Sequence, residues 1–368
     1  MNALTERLRR QIALTGPLTV ASYMATALGH PRHGYYTCRD PFGMDGDFVT
    51  APEISQMFGE LIGLWAVAGW AAMGSPARFV LVEIGPGRGT LMADALRAMA
   101  TQPACPQAAE PHLVETSPTL RAIQARTLGD AVRGWHDVIA EVPDGPTIVI
   151  ANELFDALPI HQFVRGEAGW RERLIDRDPF SDGLRFVLAA APTPTAALLP
   201  AEVAVAPGQV AEVSPASIAL SDAIGRRIAA DGGVALIIDY GREQGLIGDT
   251  LQAVRAHGTH DVLADPGEVD LSARVDFGRL ARVAREAGAR PFGPLTQGAF
   301  LGALGIDARA ATLKRNATPE QRAEIDAAHE RLVSPAAMGA LFKVLALTHP
   351  DLPAPAGFET EPCSMPAS

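Results

Sequence analysis

The chain predicts an α/β fold in which a mostly parallel sheet is covered by helices on both faces. Three observations carry that reading. Short, continuously apolar runs alternate with helical segments along much of the chain. A glycine-rich stretch, Gly85 to Gly89, follows one of those runs and opens a helix. Hydrophobic residues make up 48% of the 368 and charged residues 20%, so a large core can be buried, and the length corresponds to roughly two domains or one enlarged domain.

The elements follow in order. Residues 1–75 read as helices around a loop. Thr5 to Leu14 predicts a short amphipathic helix stopped by Gly16-Pro17, Gly46 to Pro52 a glycine-containing loop, and Glu53 to Met73 one long helix, apolar on most faces. Phe79 to Ile84 is a β-rich run, followed by the glycines and a helix reaching Met99. His112 to Glu115 predicts a strand, Pro118 to Leu128 a helix, and Val132–Trp135 and Thr147–Ala151 two further strands. A helix over Pro215–Ala230 leads into a fifth strand, Gly233–Asp239. The sheet is expected to finish with Thr250–His257, a helix Phe277–Ala287 and a strand Arg290–Leu295, so that 76–160 and 207–295 form the core. Residues 161–206 interrupt it: Gln162–Val164, Trp170–Ile175 and Leu184–Leu188 predict a small antiparallel insertion, with an Ala- and Pro-rich tail over 190–208. Residues 296–350 read as a C-terminal helical segment and 351–368 as a disordered tail.

Composition removes several function classes. A formal net charge of −11 argues against a general nucleic-acid binder. Lys314 and Lys343 are the only lysines, and neither follows a glycine loop or sits on a kinase-type strand, which excludes P-loop nucleotide hydrolases and protein kinases. No Gly-x-Ser-x-Gly or His-Glu-x-x-His occurs, so hydrolase readings have no support. His30/His33 and His257/His260 have His-x-x-His spacing but lack acidic or cysteine partners, and no metal site is expected. Cys38, Cys105 and Cys363 fit no disulfide framework and point to a reducing compartment. With no apolar signal core at the start, and a longest apolar run (Leu61 to Met73) too short to span a bilayer, a cytoplasmic protein without membrane insertion is expected.

The glycine stretch suggests the ligand. Glu83-Ile84-Gly85-Pro86-Gly87-Arg88-Gly89-Thr90 differs from the dinucleotide fingerprint in having its third glycine one residue early and a carboxylate before the first. That carboxylate would repel a pyrophosphate and suits a cationic ligand without phosphate. S-adenosyl-L-methionine, a sulfonium with an ammonium group, has that character, and Glu115 at the end of the next strand can accept both ribose hydroxyls. His136-Asp137, after the third strand, stands where adenine contacts fall, with a capping or surface role as the alternative.

At the end of the fourth strand stands Asn152-Glu153-Leu154-Phe155-Asp156-Ala157-Leu158-Pro159. Its Asn…Phe spacing loosely matches the Asn-Pro-Pro-Phe/Tyr motif with which some methyltransferases hold a planar nitrogen. Glu153 and Asp156 could clamp a guanidinium, whose planar fork pairs well with carboxylates. The plainer alternative is a strand-to-helix cap.

These motifs, with Gly46–Glu60, Ile238–Gly241, Asp270–Phe277, Thr296-Gln297-Gly298 and Met338–Val344, resemble the MidA-like family of class I S-adenosyl-methionine-dependent methyltransferases over residues 15–348. The resemblance implies a Rossmann-like sheet of seven strands, mostly parallel, with the N-terminal helical segment, antiparallel insertion and C-terminal helices as additions. It implies that Thr50, Pro52, Glu53, Ser55 and Gln56 fold over the cofactor, beside Glu83, Gly85, Pro86, Gly87, Gly89, Thr90, Glu115, His136, Asp137 and Asn152. Asn152, Glu153, Phe155 and Asp156 are the expected catalytic set, and S-adenosyl-L-homocysteine the product. The family includes a mitochondrial complex I assembly factor, which implies symmetric protein-arginine methylation of a respiratory complex I subunit. No mitochondrial presequence is visible, which favours a bacterial cytoplasmic member. A different protein or small-molecule acceptor, or a non-catalytic cofactor-binding assembly factor, are the alternatives.

Overall fold

The computed structural model describes residues 2–38, 50–167, 169–199, 205–245, 247–255 and 258–359. Two compact units emerge. One consists of residues 49–155, 219–243 and 275–368, the other of residues 1–48, 156–218 and 244–274.

The first unit is built on a sheet whose main path has seven strands, β1 (Phe79–Ile84), β2 (Ala109–Val114), β3 (Gly134–His136), β4 (Thr147–Asn152), β5 (Gly233–Arg242), β6 (Arg290–Thr296) and β7 (Phe342–Thr348), with a short eighth strand, Val275–Asp276, paired parallel to the end of β5. Their order across the sheet is β6-β7-β5-β4-β1-β2-β3. The five strands from β5 to β3 are parallel, and β7 and β6 complete the sheet antiparallel. Every residue of β1 and β4 is buried, which is why those strands read as unbroken apolar runs. The chain leaves β1 toward β2 and β3 on one side and returns to β4 and β5 on the other. The reversal falls between β1 and β4, the place where open α/β sheets bind ligands beyond the carboxyl ends of their strands. Phe58, Leu61, Trp65 and Trp70 of the helix Gln56–Ala72 belong to the core that covers one face.

Four expectations change in this unit. Phe342–Thr348, read as helical, is the central antiparallel strand β7, because it is wedged between β5 and β6 and buried over its last five residues. Residues 252–255, expected in this sheet within Thr250–His257, pair elsewhere, as described below. The helix expected from Glu53 to Met73 is two pieces, Ala51–Ile54 and Gln56–Ala72, because Ser55 is extended (φ −164°) and its hydroxyl caps the second helix at Met57 N–H, 3.2 Å. The tail folds back as far as Phe358, which is 2% exposed with its ring centroid 5.5 Å from that of Phe300. Residues 360–368 lie outside the described residues.

The second unit is antiparallel. Strands His161–Gly166, Gly169–Arg177 and Leu184–Leu188 form the expected insertion, extended by Leu18–Thr19 at one edge and Val210–Val213 at the other. Gln252–Arg255, Gly258–His260 and Asp270–Ser272 make a separate three-stranded sheet. Helices Ala3–Thr15 and Val20–Gly29 supply Leu4, Leu8, Ile12, Tyr23 and Met24 to its core. Tyr23 donates to Val262 O at 2.6 Å, which satisfies its buried hydroxyl. Among the described residues of the whole chain, no helix is long and apolar enough to cross a membrane.

Candidate functional site

The glycine stretch leaves β1 through three left-handed residues, Gly85, Gly87 and Gly89, with φ of +69°, +54° and +83°. Gly85 is required chiefly by its backbone conformation. Its φ disfavours any side chain, and a Cβ there would lie 2.8 Å from Leu154 Cδ1. Gly89 then caps the helix Thr90–Met99.

Glu83, the residue before last in β1, is 2% exposed. The backbone N–H of Met92 reaches its carboxylate, and burial pushes the carboxyl up to about 8. Its Oε2 has no hydrogen-bond partner among the described residues. At the end of the neighbouring strand β4, Asn152 is 8% exposed and its Oδ1 is also without one. Two buried acceptors thus stand on adjacent strands at the sheet's reversal. A buried acceptor left unpaired costs about 1–3 kcal/mol, more when charged, so both call for a donor. An ammonium-bearing cofactor supplies donors and positive charge, and the residues present fit it.

Glu115 follows β2. Its Oε1 accepts Ser117 N–H at 2.7 Å and its Oε2 accepts Gln124 Nε2 at 3.3 Å. Burial raises its carboxyl above the usual range, and those two donors oppose the rise. Gln124, fully buried on the helix Pro118–Leu128, also donates to Gly87 O (2.8 Å) and accepts Trp135 Nε1 (3.0 Å). It joins the glycine stretch to Glu115. The sequence reading missed it because a glutamine on a helix carries no motif.

The segment that begins at Thr50 is fastened at both ends. Ala51 N–H donates to Glu153 Oε1 at 2.8 Å, and Glu53 Oε1 accepts Thr90 Oγ1 at 2.5 Å while its Oε2 stands 3.7 Å from Arg88. Thr50 and Pro52 are buried, Ser55 caps the following helix, and Gln56 is exposed at that helix's first position. Gly46 to Val49, the first part of the expected covering loop, lies outside the described residues.

Glu153 has φ of +48°, a left-handed turn for a residue with a Cβ. Its Oε1 also accepts Asn152 Nδ2 at 3.2 Å, so Glu153 fastens the segment that begins at Thr50 and orients Asn152. Phe155 is buried, and Asp156 is the first residue of the other unit, where its backbone carbonyl accepts Ala273 N–H at 2.9 Å.

His136 and Asp137 are engaged within the protein. His136 Nε2 lies 3.0 Å from His112 Nδ1, and burial lowers both rings. Asp137 pairs with Arg121 at 2.7 Å, and Arg121 Nε donates to Glu115 O at 2.6 Å. Among the described residues no three His, Cys, Asp or Glu side chains form a metal-holding group.

Comparison with known proteins places this geometry in context. A family model described as S-adenosyl-L-methionine-dependent methyltransferase matches residues 61–295. The protein arginine methyltransferase NDUFAF7, mitochondrial, of Homo sapiens is 40% identical over 375 residues, 94% of this chain and 84% of that protein. Its homolog in Drosophila melanogaster is 40% identical over 378 residues, again 94% and 84%. Among solved structures, a superfamily member from Burkholderia thailandensis bound to S-adenosyl-homocysteine is 31% identical, with a TM-score of 0.85 over 98% of this chain and 96% of that one.

Proposed function

The chain belongs to the MidA-like family of S-adenosyl-methionine-dependent methyltransferases, and from that premise we propose that it methylates an arginine side chain of a protein. The observation that carries the cofactor half is the pair of unpartnered buried acceptors, Glu83 Oε2 and Asn152 Oδ1. Glu83 would hold the cofactor's ammonium, Glu115 the ribose hydroxyls, and the Gly85–Gly89 turn would let the cofactor approach the backbone. When bound, the cofactor supplies an electrophilic methyl group on a sulfonium.

The arginine half rests on the relatives named protein arginine methyltransferase and on the carboxylates after β4. A guanidinium has a pKa above ~12 and a delocalised lone pair, so it is a poor nucleophile. Carboxylates on its outer nitrogens draw positive charge there and orient the attacking one. Glu153 and Asp156 are assigned that role from their spacing in the chain, with Asn152 and Phe155 shaping the space beside the methyl. Holding the acceptor in line accounts for up to roughly 7–11 kcal/mol of barrier reduction. We extend the proposal to symmetric dimethylation of a respiratory complex I subunit.

The test is mass spectrometry of arginine methylation in complex I subunits, with and without the gene, beside a transfer assay on purified protein. A complex I arginine that loses its methyl groups in the deletion, and regains them on adding the protein and cofactor, is the expected result. Unchanged methylation on every complex I arginine would overturn the substrate. Full turnover by both Glu153→Gln and Asp156→Asn would overturn the carboxylate roles.

A further inference from the structure

The turn after β4 is gripped by a residue that the proposed function does not use. Asp239, in β5, has 0% of its surface exposed. Its Oδ2 accepts the backbone N–H groups of Leu154 at 3.1 Å and Phe155 at 2.7 Å. The N–H of Glu153 donates to Ile238 O at 2.9 Å, so adjacent residues of β5 take three consecutive amides of the loop. These are the amides of a turn that Glu153 enters at φ +48°, a conformation in which its Cβ crowds the backbone. Such a turn persists when its surroundings over-determine it, and a buried carboxylate accepting two N–H groups does that.

The consequence reaches the site through side chains. With the turn fixed, Glu153 Oε1 sits on Ala51 N–H and on Asn152 Nδ2. Holding the Asn152 amide by its nitrogen sets which way it faces and leaves Oδ1 as the unpartnered acceptor. We infer that Asp239 is a positioning residue: its carboxylate fixes the left-handed turn at Glu153 and, through Glu153, the face that Asn152 presents. The inference rests on the methyltransferase reading only for its effect on turnover.

Hydrogen exchange and kinetics test it together. In the wild-type protein the amides of Leu154 and Phe155 are expected to exchange as slowly as those of β4; exchange at the rate of exposed loops overturns the hold, whatever the variants do. Asp239→Asn keeps the shape but sets an amide nitrogen among N–H donors. It is expected to speed exchange at residues 153–155, lower turnover of labelled S-adenosyl-methionine onto an arginine-containing peptide at least tenfold, and weaken calorimetric cofactor affinity at least threefold, because Asn152 Oδ1 is one of the two acceptors assigned to the cofactor. In a double-mutant cycle with Glu153→Gln, the pair should lose no more turnover than the worse single variant, because both act through one turn. Multiplying effects, or exchange faster across the whole sheet rather than at residues 153–155, overturn the inference. A wild-type protein that binds cofactor and methylates no arginine peptide sinks the functional reading instead, and the exchange data still decide the role of Asp239.

Discussion

Glu60 and Glu83 are two buried glutamates of the same unit in opposite circumstances. Glu60, 7% exposed on the helix Gln56–Ala72, takes a two-pronged grip from Arg309 at 2.6 and 2.9 Å and a third bond from Arg97 at 3.2 Å. Glu83 has one backbone amide and an orphan oxygen. Among the described residues, Glu83 Oε2 is the one buried carboxylate oxygen without a hydrogen-bond partner. The difference separates a carboxylate that fastens helices from one that we propose meets the cofactor's ammonium, and each can be tested by removal.

Glu83 should give the largest effect. Glu83→Gln is expected to weaken S-adenosyl-methionine binding by about 2–5 kcal/mol, the usual cost of removing one partner of a buried charged pair. Without cofactor the same variant should be more stable than wild type at high pH. The Glu83 carboxyl is raised from 4.5 to about 8, so the folded state holds a proton that the unfolded state releases. Its stability is therefore full below pH 4.5 and lost as pH rises to 8. Thermal melts should show the variant's advantage growing across that window. Wild-type affinity should also rise from pH 6 to 7, where most of the cofactor's ammonium is still protonated, with proton release visible in buffers of different ionisation enthalpy. A flat affinity over that range would remove Glu83 from the cofactor site.

Glu60→Ala should do the reverse. It removes the carboxylate that Arg309 grips and one of the two that Arg97 meets, Asp94 still holding Arg97 at 2.7 Å, and breaking a buried pair costs roughly 3 kcal/mol, the low end of its range here because Arg97 stays paired and half exposed. The expected result is a lower denaturant midpoint with cofactor affinity within threefold of wild type. If affinity collapses while stability holds, the contrast between the two glutamates is false.

Much of this site could be read in the chain, for reasons that also mark where reading stopped. Local grammar sufficed for β1, β4 and the glycine turn, because burial on both faces writes an apolar run and left-handed φ demands glycine. The segment Phe342-Lys-Val-Leu-Ala-Leu-Thr348 reads as helix by composition, and only its neighbours β5 and β6 make it a strand. Residues 252–255 are a strand as expected, but period alone does not name a pairing partner. Ser55 hides a helix break because serine, though favoured at a cap, is tolerated inside a helix and so marks no boundary by itself. Asp239 is visible within Ile238–Gly241, yet its partners lie 84 and 85 residues away. Contacts of that range leave no spacing to read.

Gln124 gives the smallest expected effect and the finest form of the contrast, because it belongs to neither extreme. It carries no charge, yet its amide nitrogen bridges Gly87 O and Glu115 Oε2, and its oxygen takes Trp135 Nε1. Gln124→Leu keeps the volume and strands a carbonyl and an indole N–H, so stability should fall by about 1–3 kcal/mol. Glu115 loses one of the donors that oppose its raised pKa but keeps the N–H groups of Ser117 and Thr116, so cofactor affinity should fall only about three- to tenfold. Gln124→Glu separates charge from shape: it can still accept Trp135 Nε1, but sets a second carboxylate against Glu115 and should weaken binding more as pH rises. If both variants bind the cofactor as wild type does, Glu115 needs no support from its helix, and the saturated side of the comparison contributes only to stability.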